Sequence, residues 1–247
     1  MKNQLNAILF DMGSTLIEFE NSSWEVLRKL CAENGYRFLK EKSLTDLDFY
    51  IFSKTIEEEL KIAWEKSNKT LKEIRFEGFA ALLFKKLKLH ISDGNFPLFS
   101  EAYYQPITEQ LTLIEGAIEI LKYFKDNNLK IGLVSNTIFS ERFHLNELKR
   151  FEIYRFLDVA LFSSSVGYKK PHQRIFKTCL DRLKVKPDRV IFVGDRLVED
   201  IGGAQKAGIK AILKPKIGRD YSAPIIPDGR INDLRELPGK ISEFFEI

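Results

Sequence analysis

Cysteine is scarce in this chain. Only Cys31 and Cys179 occur in 247 residues, far apart and in no metal-ligand spacing. That excludes a disulfide framework or a thiolate cluster, favours a reducing cytoplasm, and leaves each thiol as a small buried apolar group. Histidine is equally sparse: His90, His144 and His172 are scattered and give no zinc signature. Neither sign of charge dominates, with 39 basic against 35 acidic residues and a net +4. No nucleic-acid partner is expected from so small an excess, and Lys85-Lys86-Leu87-Lys88 reads as a solvated helix face. No apolar run approaches the ~20 residues that cross a bilayer, so no membrane partner is expected. The first apolar run is cut short at Asp11 and is no signal peptide. Repeats and low-complexity tracts are absent, and nothing encodes an oligomeric state.

What is present is a globular composition, 44% hydrophobic and 30% charged, in a chain long enough for a core plus an insert. Ala7-Ile8-Leu9-Phe10 has the length of a buried parallel strand and ends on Asp11, followed by the turn-forming Gly13-Ser14. A carboxylate therefore stands where a core strand leaves the interior, the end at which open α/β sheets bind ligands. Ile131-Gly132-Leu133-Val134 likewise ends on Ser135-Asn136, and Val190-Ile191-Phe192-Val193 ends on Gly194-Asp195.

Between the first two of these strands the period is helical for about ninety residues, by the i, i+3, i+4 rule. Ser22-x-x-Glu25 forms a capping box for a helix that Gly35 can end. A second helix is expected over 45–66. Thr70-x-x-Glu73 opens a third, and Pro97 and Pro106 bracket a fourth segment. From Leu111 strands and helices alternate, with strands at 130–135, 157–162, 189–194 and 210–213. Helices are expected over 116–126, 141–151, from Pro171 to 183, and over 197–207. This alternation predicts an α/β fold with a doubly wound parallel sheet. The tail should hold a short Ile225-Ile226 strand and two short final helices. The resulting division is a core of residues 1–16 and 113–247 and a helical insert of residues 17–112.

The ordered set Asp11-Met12-Gly13-Ser14-Thr15, Ser135, Lys170 and Gly194-Asp195 through Asp200 resembles the haloacid dehalogenase-like hydrolase superfamily. That resemblance implies a Rossmann-like core with the insert as a cap, and a Mg²⁺-dependent hydrolase acting on a small phosphorylated substrate. By the same resemblance Asp11 is the nucleophile and Lys170 the cation beside it. Thr15, Ser135 and Asn136 fall on the substrate phosphoryl. Asp11, the Gly13 carbonyl, Asp195 and Asp200 form the metal set, with Asp200 as ligand or orienting partner. Such a constellation supplies positioning and charge neutralisation, the main needs of phosphoryl transfer.

One position departs from the family pattern. Its second aspartate, the general acid and base, is Gly13 here. Three outcomes are open: leaving groups that need no proton, a substitute carboxylate such as Glu18 or one from the cap, or a binding protein with a degenerate site and little turnover. Dehalogenase chemistry, which uses no metal, and phosphonate hydrolysis, which needs a cap lysine, are weaker alternatives.

Overall fold

Strand β1 (Ala7–Phe10) is buried along its whole length, as a continuous apolar run must be in a sheet covered by helices on both faces. In the computed structural model, which describes residues 3–246, β1 pairs with β2 (Lys130–Ser135) and, on its other side, with β4 (Val190–Gly194). Strand β3 (Val159–Phe162) lies outside β2, while β5 (Lys210–Leu213) and β6 (Gly229–Arg230) extend the sheet from β4. All pairings are parallel and the order is β3-β2-β1-β4-β5-β6. This is a doubly wound sheet whose direction reverses beside β1, the place where such sheets bind ligands. Register aligns Phe10 with Leu133 and Val193, so the residues that follow these strands emerge at one edge.

The chain divides into two compact units. Phe19–Thr70 and Ile74–Thr112 form the helical one, and the rest of the described chain, including Leu71–Glu73, belongs to the sheet unit. In the helical unit α1 (Trp24–Glu41) is capped by Ser23, whose Oγ accepts from Val26 N at 3.3 Å. The cap thus falls one residue beyond Ser22, whose own N–H donates to the Gln110 side chain. Gly35 does not end this helix. A Cβ there would lie 3.0 Å from the rings of Phe99 and Tyr103, so glycine lets α1 approach α4 (Asn95–Glu109). Helix α2 (Phe49–Thr70) runs past Lys66, and Thr70 Oγ1 donates back to Lys66 O within it. The expected start at Thr70 is therefore displaced, and α3 (Phe76–Leu87) begins later. Pro97 and Pro106 both fall inside α4 rather than at its borders. Pro97 sits in the first turn, where its missing N–H has no intrahelical partner to lose.

The sheet unit adds α5 (Ala117–Asp126), α6 (Glu141–Arg150), the single turn α7 (Ser163–Val166), and α8 (Gln173–Leu183). On one face of the sheet, Ala7, Leu9, Val134 and Phe192 share a core with Ile175, Phe176 and Cys179. Both cysteines are free and buried. Helix α8 opens at Gln173, two residues beyond Pro171, with His172 as its cap. After β4 the chain makes a π-turn over Leu197–Gly202 before the short α9 (Gly203–Lys206). The Ile225-Ile226 pair is not a strand: Ile225 packs on the core and Ile226 faces solvent. Asp228 accepts from Ala211 N and Lys210 Nζ (2.9 and 3.1 Å), which sets the register of β6 instead. Helix α10 (Leu237–Ser242) closes the tail, and Phe245–Glu246 pairs with Asn3–Gln4 rather than continuing the helix. Among the described residues no helix is long and apolar enough to cross a membrane.

Candidate active site

Asp11 follows β1, and its amide donates to Val193 O of β4 at 2.9 Å. The turn after it is tight. Leu16 N and Ile17 N both donate to Met12 O, Ser14 N donates to Ile17 O, and Gly13 bridges Ile17. The left-handed φ of this turn falls on Ser14, at 55°. Thr15 is fully buried and its Oγ1 has no hydrogen-bond partner.

Lys170 Nζ lies 2.6 Å from Asp11 Oδ1 and 2.7 Å from Asp200 Oδ1, over the ring of Phe192 at 5.4 Å. All three ionised groups are buried. Burial pulls the ammonium of Lys170 down, but Asp11 and Asp200 outweigh it and its pKa is raised. Burial pushes Asp11 up to about 6, with Lys170 opposing and Asp200 adding to the rise. One ammonium thus serves two carboxylates.

Asp200 is held in place. Its Oδ2 accepts from the amides of Asp195 and Arg196 at 3.0 and 2.9 Å. This return onto the end of β4 requires Gly194, since a Cβ there would meet the Asp200 carboxylate at 2.5 Å. The π-turn carries Asp200 back to that point.

Asp195 is less well compensated. It is 1% exposed, and neither carboxylate oxygen accepts a hydrogen bond. Arg219 Nε approaches Oδ2 at 2.8 Å, but its N–H is not aligned for a hydrogen bond. Burial, with Asp200 and Asp11 close by, pushes Asp195 up to about 8. Oxygens of Asp11, Asp195 and Asp200 lie within 4.8 Å of one another. Three buried carboxylates, one of them with no aligned hydrogen bond, form an oxygen-rich cluster of the kind that suits a hard divalent cation.

Ser135 ends β2 and is buried. Asn136 is committed elsewhere: its Nδ2 donates to Lys170 O at 3.0 Å, and its Oδ1 accepts from Lys170 N at 2.7 Å. It brackets the Lys170 peptide and so orients the lysine. Glu18 Oε1 accepts from Ser14 Oγ (3.1 Å) and from Lys216 Nζ (2.7 Å). Lys214 Nζ donates to Ser14 O at 3.3 Å, and Tyr221 Oη donates to Asp195 O while accepting from Lys216 N. The segment carrying Lys214, Lys216, Arg219 and Tyr221 was not singled out by the sequence. It lies far along the chain from Asp11 and carries no motif, so only the pairing of β5 with β4 brings it here.

Asp11, Lys170, Asp195 and Asp200 therefore meet at the carboxyl end of the sheet, with Ser135 at the end of the neighbouring strand. A family model described as haloacid dehalogenase-like hydrolase matches residues 8–214. A glyceraldehyde 3-phosphate phosphatase of Methanopyrus kandleri is 26% identical over 97% of this chain and 98% of its own. One of Methanothermobacter thermautotrophicus is 39% identical, but the match spans only 36% of this chain and 38% of that protein. Among solved structures, a 2-haloacid dehalogenase of Pseudomonas syringae superposes with a TM-score of 0.72 at 20% identity, over 97% of this chain and 99% of its own. At that identity the likeness is one of fold.

Proposed function

Because the chain belongs to the haloacid dehalogenase-like hydrolases, we propose that it is a metal-dependent phosphatase of small phosphorylated metabolites with Asp11 as nucleophile. The observation that carries this reading is the buried trio Asp11, Asp195 and Asp200 with Lys170 seated between two of them. The relatives named as glyceraldehyde 3-phosphate phosphatases support the substrate class.

An Asp11 oxygen attacks phosphorus, the bond to the leaving oxygen breaks, and an aspartyl-phosphate forms. Water then attacks phosphorus and releases phosphate, restoring the carboxylate. Lys170 aims Asp11 and offsets the repulsion between carboxylate and phosphate. Asp200, anchored on two amides, holds Lys170 from the other side, while Asn136 fixes the lysine's backbone. Ser135, buried at the end of β2, would donate to a phosphoryl oxygen. Asp11 and Asp195, with the Gly13 carbonyl, would hold a Mg²⁺ ion, and Asp200 orients that set through the Asp195 amide. When bound, the cation neutralises charge on the transferring group. The helical unit is the element we assign to substrate selection.

Gly13 provides no acid for the leaving group, a contribution typically worth ~10²–10⁴-fold. Glu18 is already engaged by Lys216 and Ser14. Leaving groups that depart as stable anions therefore suit this site best. The same glycine favours the second reading, a phosphate- and Mg²⁺-binding regulatory protein. Dehalogenation has less support, because the buried carboxylate cluster of Asp11, Asp195 and Asp200 suits a cation that such chemistry does not use. The test is Mg²⁺-dependent hydrolysis of aryl, acyl and alkyl phosphates, with Asp11→Asn as the blank. Turnover of aryl and acyl esters above the blank is expected, and equality with the blank on every ester leaves the binding-protein reading.

A further inference from the structure

Leu71–Glu73 belongs to the sheet unit although the residues on both sides of it belong to the helical one. Its backbone runs beside residues 167–169. Glu73 N donates to Gly167 O and Lys169 N donates to Leu71 O, both at 3.0 Å, and Lys72 bridges Tyr168 in antiparallel fashion. The next residue along is Lys170.

The Glu73 side chain reaches a different loop. Ser163 Oγ donates to Glu73 Oε2 at 2.5 Å and accepts from Thr137 N at 2.8 Å. A hydroxyl has one proton to give, and the charged acceptor at 2.5 Å takes it in preference to Thr137 O at 3.2 Å. Ser163 is fully buried. Thr137 directly follows Ser135-Asn136. On its far side Thr137 Oγ1 accepts from Phe139 N at 3.1 Å and shares a hydrogen bond with His144 Nε2, 2.6 Å away. His144 Nδ1 then faces Glu147 Oε2 at 2.9 Å, with both residues buried. The loop after β2 is thus clamped by hydrogen bonds on two sides, and one clamp ends on the chain that joins α2 to α3.

We propose that Glu73 is a positioning residue for the active site, fixing the Ser135–Thr137 loop through Ser163 and the approach to Lys170 through its own backbone. Without its carboxylate, the Ser163 proton turns to Thr137 O and the clamp loosens by one ionic hydrogen bond. Because Leu71–Glu73 is continuous with α2 and α3, the ordering of the phosphoryl-binding loop depends on a segment carried by the inserted chain. This inference rests on the assignment of Lys170 and Ser135 proposed above.

The test uses the full chain with Mg²⁺ and p-nitrophenyl phosphate, comparing Glu73→Ala, Glu73→Gln and Ser163→Ala. Misplaced catalytic groups lose rate more than affinity. Glu73→Ala should lower kcat by about tenfold, on the order expected of a modest misplacement, with little change in KM. Glu73→Gln, whose amide oxygen still accepts from Ser163, should restore most of it. Amide hydrogen exchange provides a second readout. Residues 135–137 and 167–170 should exchange faster in Glu73→Ala and Ser163→Ala than in wild type, and near the wild-type rate in Glu73→Gln. Unchanged exchange at 135–137 overturns the proposal whether or not the protein hydrolyses the ester. So does a loss in Glu73→Gln equal to that in Glu73→Ala. An inactive wild type with the expected exchange pattern sinks the phosphatase reading and leaves the positioning role standing. If Glu73→Ala does not fold, Ser163→Ala decides by the same exchange measurement.

Discussion

The two units bury different things. Among the described residues, the helical unit hides aromatic rings and only three polar side chains, Thr45, Ser67 and Ser100. Its centre is Phe99, with Phe84 edge-on at 4.9 Å and Phe76 stacked at 6.3 Å, while Tyr103 meets Phe76 at 4.9 Å. The sheet unit buries Asp11, His144, Glu147, Lys170, Asp195 and Asp200. An aromatic interior gains stability from area and packing. An interior of polar and ionisable groups costs stability unless each finds a partner or a ligand. The difference separates a unit made for shape from one made for chemistry.

Substitutions can break that contrast, and the largest effect is expected at Lys170. Lys170→Ala strands two buried carboxylates. Removing one partner of a buried pair typically costs 3–5 kcal/mol, and turnover should fall by about 10³-fold or more, as when a principal charge stabiliser is lost. Urea unfolding and p-nitrophenyl phosphate turnover measure the two losses. A variant of wild-type stability would show that the carboxylates do not need the lysine.

Phe99→Ala attacks the other interior. It should cost about 3–5 kcal/mol, the usual range for a buried Phe, yet leave Mg²⁺ affinity by calorimetric titration unchanged. A matching loss of Mg²⁺ binding would mean that the two interiors are not independent.

The third prediction concerns pH. Asp11 and Asp195 have folded pKa values of about 6 and about 8, above the usual carboxylate range. The folded state then binds more protons than the unfolded chain, so metal-free stability should fall as pH rises from the unfolded carboxylate value of about 4 through 8. Mg²⁺ should restore it by mass action. Denaturation midpoints in EDTA at pH 5 and pH 8, compared with Asp195→Asn, check this. The variant should lose the part of the slope nearest pH 8, and a wild-type slope of opposite sign defeats the prediction.

The smallest effect tests a helix end. Ser23→Ala should cost about 1 kcal/mol, as lost N-caps do, whereas Ser22→Ala should cost less. Equal costs would place the cap elsewhere.

Local rules carried far through the sheet unit and less far elsewhere. Strand period and the polar residues at strand ends place Asp11, Ser135 and Asp195 in one region, because a parallel sheet brings all its carboxyl ends to one side, whereas Lys170, beyond the turn that follows β3, is marked only by the family resemblance. Asp200 required more. Its return depends on the π-turn and on the absent Cβ of Gly194, neither of which a helical period reveals. In the helical unit, Ser22 and Ser23 offer the same cap chemistry and differ only in what Gln110, far along the chain, takes from one of them. Thr70 and Glu73 satisfy a capping pattern, yet Thr70 lies within α2 and Glu73 accepts from Ser163, far along the chain. Arg219 and Lys216 met their partners across long chain separations, where sequence offers only composition.

The central position of β1 has a temporal consequence. Ala7 takes its neighbours from Lys130 and Val190, and both are synthesised after the entire helical insert. At 5–20 residues per second, β1 waits on the order of ten seconds for its first partner. Through that interval the apolar tetrapeptide Ala7–Phe10, with Asp11 directly after it, stays unpaired on the nascent chain, while the helices behind it are free to form. The carboxylate of Asp11 is thus made well before the strands that flank it in the finished sheet.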